Sequence, residues 1–97
     1  MEKNHNYYYI IPSHIMYDEN LKANEKLLYG QIYALNDEHG YCFASNRYFA
    51  EKNKTSIKSI STWISCLSKN NNINVIYDEL GIRKIFIPPF NKSYRPL

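Results

Sequence analysis

Lys58, Ser61, Thr62 and Ser65 recur at i, i+3, i+4 and i+7, a spacing that gathers one amine and three hydroxyls on a single side of a helix. Such side chains are short or flexible and carry donors and acceptors together, so the helix can lie close against a flat polar partner. Base-pair edges in the ~12 Å wide major groove of duplex DNA are a partner of that kind. Ser56 and Ser59 extend the same polar set at the front of the helix. Hydroxyls on an exposed helix are ordinarily just solvated, and their surroundings favour nucleic acid here. Between Arg47 and Lys69 five cations stand against Glu51 alone, a local charge of +4. Arg83 and Lys84 arrive in a hairpin just afterwards, where they can reach phosphates or the adjoining minor groove. Lys52 and Lys54 are expected on the DNA backbone, and Ser45, with Asn46 beside it, and Ser56 mark helix N-termini that favour a phosphate.

Other chemistry finds little support. His5, His14 and His39 are too far apart to read as a metal or catalytic set, and Cys42 and Cys66 lack zinc-site spacing. The pairs Asp18–Glu19 and Asp37–Glu38 read as solvated carboxylates at helix ends. Three glycines supply no phosphate loop or nucleophile elbow. The expectation is a protein that is not an enzyme and needs no cofactor and no metal.

The chain of 97 residues is one domain's worth, with 44% apolar residues and ten tyrosines. Its formal charge is only +3, but it is unevenly spread: Ser13–Gly40 sets Lys22 and Lys26 against five carboxylates. No apolar run reaches the ~20 residues of a membrane span, so a cytoplasmic protein with reduced, mostly buried thiols and no membrane partner is expected.

The elements that must position the polar face follow from spacing and punctuation. "YYYII" before Pro12 reads as a strand or extended arm. Leu28, Ile32 and Leu35 mark a helix over about 24–38, with Asn24 as its cap and Gly40 as its stop. "GYCFAS" reads as a short strand or connector. Ser45 caps a helix over about 46–53 that buries Phe49 and Ala50, and Ser56 caps a longer one whose Ile57, Ile60, Ile64 and Leu67 face the core. Trp63 reads as packing against the wing. "KNNN" ends that helix, and "INVIY" and "IRKIFIP" form a hairpin around Asp78–Gly81. This order predicts an α+β, mainly α fold: a winged helix-turn-helix of three helices plus a C-terminal β-hairpin wing. Residues 1–12 are expected as the arm, 13–88 as the winged-helix domain and 89–97 as a loosely held tail.

The segments "LKANEKLLYGQIYALNDEHGYCFASNRYFAEKNKTSIKSISTWISCLSKNNNI" and "IRKIFI" resemble the winged-helix N-terminal domain of Gram-positive phage and plasmid replication proteins, the DnaD-like and replication-initiator-A type group. The match runs from Leu21 to about Ile87, with Glu25–Tyr29 and Gly40–Asn46 as its specific parts. The resemblance implies binding to double-stranded origin DNA or a role in assembling the replisome. It implies Ser56, Lys58, Ser61 and Thr62 as groove contacts and Arg83 as a wing contact. Lys54 and Thr55 depart from the glycine and apolar residue usual in that turn. Members of the group continue into a second domain, so the chain is expected to be either an N-terminal module or a stand-alone phage protein.

Expected partners are therefore double-stranded DNA, a second copy pairing through Tyr7–Ile11, and host replication proteins. Two rivals use the same fold. One is a transcriptional repressor; the other is a mobile-element interaction protein that docks on a host protein through its tyrosine arm or acidic helix.

Overall fold

The computed structural model describes residues 8–89, apart from the side chains of residues 37–39. Expectations for residues 1–7 and 90–97 lie outside that range. Six elements follow one another: α1 (Ser13–Met16), α2 (Ala23–His39), α3 (Asn46–Asn53), α4 (Ile57–Lys69), β1 (Asn74–Tyr77) and β2 (Arg83–Phe86). The mainly helical body with a hairpin after it is the expected architecture. It carries one additional helical turn, α1.

Pro12 starts α1 because its fixed φ and its carbonyl suit a helix entry: the Ile15 and Met16 amides both donate to Pro12 O at 2.9 Å. The turn exists to seat Ile15, which is fully buried. Ahead of it, residues 8–11 form no strand; Ile11 packs against the core. The arm crosses α2 at Gly30, where a Cβ would come within 3.2 Å of Ile11 Cγ1. A glycine in mid-helix lowers helix propensity, and here it makes room for the crossing.

The start of α2 is not at Asn24. Lys22 occupies the N-cap, and its backbone N–H donates to the Glu25 carboxylate at 2.7 Å, the returning arm of a capping box. Glu25 is 5% exposed, so one of the carboxylates counted in the acidic segment belongs to the interior. Leu28, Tyr29 and Ile32 are buried along the helix, and Gly40, at φ 83°, ends it as expected.

α3 and α4 begin as their serines predict. Tyr48 N donates to Ser45 Oγ at 3.1 Å, and Ser59 N donates to Ser56 Oγ at 3.0 Å. Phe49, Ala50, Ile60, Ile64 and Leu67 are buried between the helices. Ile57 is a correction: it is 46% exposed rather than part of the core. Three residues before Ile60 puts it about 60° around the helix axis from that side chain, on the edge of the stripe where no layer covers it. Trp63 is half-buried against the core.

After α4 the Asn70 side chain bonds to Cys66 O at 2.9 Å, Asn71 takes φ 63°, and Asn72 N reaches Leu67 O at 2.9 Å. The asparagine run thus terminates the helix and aims the chain into the wing. β1 and β2 pair antiparallel, Val75 opposite Ile85 and Tyr77 opposite Arg83. Cys42 and Ile85 exchange two backbone hydrogen bonds at 2.8 Å, so the connector before α3 stitches the wing to the body. Among the described residues no helix is long and apolar enough to cross a membrane.

Candidate nucleic-acid interface

The sequence of the turn between α3 and α4 decides how α4 is presented. Asn53 ends α3 with its amide paired reciprocally to Gln31 of α2, at 2.8 and 2.9 Å, and also donating to Phe49 O at 2.7 Å. Lys54 then adopts φ 53°, ψ 49°, a left-handed conformation that a glycine would take without strain. Thr55 N closes the turn on Ala50 O at 3.0 Å. A small residue at position 50 and a rigid reversal after it set α4 against α3.

On α4, Lys58, Ser61, Thr62 and Ser65 are all exposed, on the side away from Ile60 and Leu67. The hydroxyls are not equivalent. Thr62 Oγ1 donates to Lys58 O at 3.1 Å, so toward a ligand it can only accept or offer its methyl. Ser56 Oγ accepts from Ser59 N and donates to Ser59 Oγ at 3.0 Å, so Ser56 can only accept further, while the half-buried Ser59 hydroxyl keeps its own proton to donate. Among the described residues the hydroxyls of Ser61 and Ser65 make no hydrogen bond within the chain, which leaves them to a partner. Lys52 is exposed with its Nζ 5.9 Å from the Tyr48 ring, and Lys54 is exposed at the turn.

The wing residues part company. Successive side chains on a strand point to opposite faces. Arg83 faces inward: Nη1 donates to Asn46 Oδ1 at 2.7 Å and Nη2 to Ala44 O at 2.8 Å. It is half-buried, a strut between β2 and the start of α3 rather than a free charge on the wing's edge. Its partner Asn46 is correspondingly engaged. Lys84 lies on the other face, 4.9 Å from the Tyr41 ring and 3.9 Å from Asp78 Oδ2. The tip between the strands is acidic and apolar, with Leu80 84% exposed. Asp78 organises that tip: its Oδ1 accepts from Leu80 N and Ile82 N, both at 2.9 Å. The Ile82 amide leads in holding its carboxyl below the ordinary range, and Lys84 adds to the effect.

A groove of about 370 Å³ lies between α4 and the wing, bordered by Asn46, Ser61, Ser65, Lys69, Tyr77 and Arg83. It joins four of the twelve expected residues, Asn46, Ser61, Ser65 and Arg83, and leaves the other eight outside, Lys58, Thr62 and Lys84 among them. Lys69 and Tyr77 were not among those expected. Lys69 stands eight residues after Ser61, two turns along the same side, and the helical period alone could have found it. Tyr77 is placed by its pairing with Arg83, which only the hairpin register specifies.

Elsewhere burial leads in each group that departs from its ordinary titration range. Burial raises both thiols; at Cys66 a hydrogen bond to Glu25 acts in the same direction. Cys42 is buried and Cys66 only half-buried. Burial lowers His14, against a smaller opposing effect of Asp18. No group of three His, Cys, Asp or Glu side chains suited to a metal ion occurs among the described residues.

Three helices with α3 and α4 joined by a tight reversal, followed by a hairpin that packs back on the body, define a winged helix-turn-helix protein. Residues 19–71, more than half of the chain, match the helix-turn-helix domain family, and the chain belongs to it. No curated protein and no solved structure matches it. Membership of a helix-turn-helix family points to double-stranded DNA as the partner.

Proposed function

We propose that the chain binds double-stranded DNA in a sequence-dependent way, with the exposed face of α4 in the major groove. The observation that carries this reading is the position of Lys58, Ser61 and Ser65: all are exposed and none is covered by the hairpin. Lys52 and Lys54 are assigned to flanking phosphates, and Asn46 and Arg83 to holding the wing in place beside α4. Selection of bound sequences from random duplex DNA, followed by salt titration on the selected site, tests it. With roughly four to six phosphate contacts the log–log slope is about −4 to −5. Weak binding with a shallow slope defeats it.

The finer role we infer is that of an origin-binding or replisome-organising module of a phage or plasmid replication initiator. It rests on the resemblance carried by Glu25–Tyr29 and Gly40–Asn46. A transcriptional repressor fits the same geometry equally well. Where selected sites fall separates the two: repeats clustered at an origin support the initiator, and sites overlapping a promoter support the repressor. One observation favours docking on a protein instead, namely the wing tip, where Glu79 adjoins the exposed Leu80 and Ile82.

A further inference from the structure

We infer that Ile57 reads the 5-methyl group of a thymine, a specificity contact that rests on the DNA-binding reading of α4. A single exposed apolar residue on a surface is ordinary, and exposure alone would carry nothing. The position of this one is what matters. Ile57 is the first residue of α4, directly after the cap Ser56. Because Cα–Cβ bonds tilt toward the helix N-terminus, its side chain lies over the helix tip, the end that a helix-turn-helix unit puts into the groove. The hydroxyl beside it has no proton to offer, since Ser56 Oγ accepts from Ser59 N and donates to Ser59 Oγ. The leading turn offers a partner the Lys58 amine and the Ile57 side chain, both exposed, beside a Ser59 hydroxyl that is half-buried. Ser61, one turn further on the same side, supplies a hydroxyl that makes no bond within the described residues. Thymine alone among the bases shows an apolar group in the major groove. An isoleucine set among donors and acceptors matches a thymine methyl flanked by hydrogen-bonding base edges.

The test uses the selected duplex and replaces each thymidine singly by deoxyuridine, which removes only the methyl. One replacement is expected to weaken the wild type by about fourfold, the value of one buried methyl. The Ile57→Ala variant, with circular dichroism confirming its helix content, is expected to bind the thymidine and deoxyuridine duplexes alike at that position. Overturning results are a wild type that tolerates deoxyuridine everywhere, a selected site without thymine, or an Ile57→Ala variant that keeps the penalty. A wild type that selects no duplex at all is a different failure, because it removes the DNA-binding reading and this inference with it.

Discussion

Arg83 of the wing and Asn46 at the start of α3, 37 positions apart, meet through a hydrogen bond of 2.7 Å, and the same guanidinium holds the Ala44 carbonyl at 2.8 Å. One planar cation thus clamps the hairpin to the helix-turn-helix unit at the edge of the groove. Removing either side leaves a half-buried polar group short of a partner. Asn46→Ala and Arg83→Lys are each expected to cost about 1–2 kcal/mol, since a lysine ammonium cannot reproduce the forked pair of donors. Urea unfolding monitored by circular dichroism checks this, with a lowered midpoint at unchanged slope as the expected outcome.

The amide pair between Gln31 and Asn53 predicts non-additivity. Each single alanine substitution takes two hydrogen bonds from the other amide, though Asn53 keeps its bond to Phe49 O, and is expected to cost about 1–2 kcal/mol. The double variant is expected to lose about 1 kcal/mol less than the two losses combined, because the second change removes an amide that has already lost its partner across the helices. A double-mutant cycle in urea measures it, and strictly additive losses would show that the pair is not coupled.

Lys54 separates stability from binding. Its left-handed backbone suits glycine, so Lys54→Gly is expected to raise stability by about 0.5–1 kcal/mol. The same change removes a cation assigned to a phosphate, so DNA affinity falls and the salt slope shrinks by about 0.9. Thermal melting and salt titration of one variant therefore move in opposite directions.

Asp78 predicts a local pH response. Its folded carboxyl titrates below the unfolded one, so the stabilisation it gives is present above the unfolded carboxylate range and is lost as pH falls through the folded value. Asp78→Asn keeps an oxygen acceptor for the Leu80 and Ile82 amides but cannot titrate. Amide exchange at Leu80 and Ile82 is expected to speed up on acidification in the wild type relative to neighbouring amides, and to show no such relative change in Asp78→Asn.

Much of this frame was legible because it is local. Ser45, Ser56, Gly40 and the asparagine run act within one turn of themselves, and Ile60, Ile64 and Leu67 mark their face by period alone. What escaped depends on distant partners or on the end of a pattern. α1 is four residues long, too short to show a period, and is started by a proline that also reads as the end of a strand. Lys22 is an unusual cap, and only the Glu25 carboxylate reaching back reveals it. Ile57 satisfies the stripe's spacing but lies where the core has run out. Among the expected site residues, Arg83 and Lys84 were both expected to reach the DNA from the wing, although strand alternation puts them on opposite faces. Nothing local marks Arg83 as tied to Asn46.

The polar contacts that tie α3 to α2 and to the wing have a practical consequence. Gln31 and Asn53 are neutral, and Arg83 is held by an amide and a carbonyl rather than by a carboxylate. Counterions have little purchase on such joints, so dissolved electrolyte should loosen a bound duplex without disturbing the frame around the helix that grips it. Ionic strength then becomes a clean gauge of phosphate neutralisation for this molecule, uncontaminated by drift in its own shape.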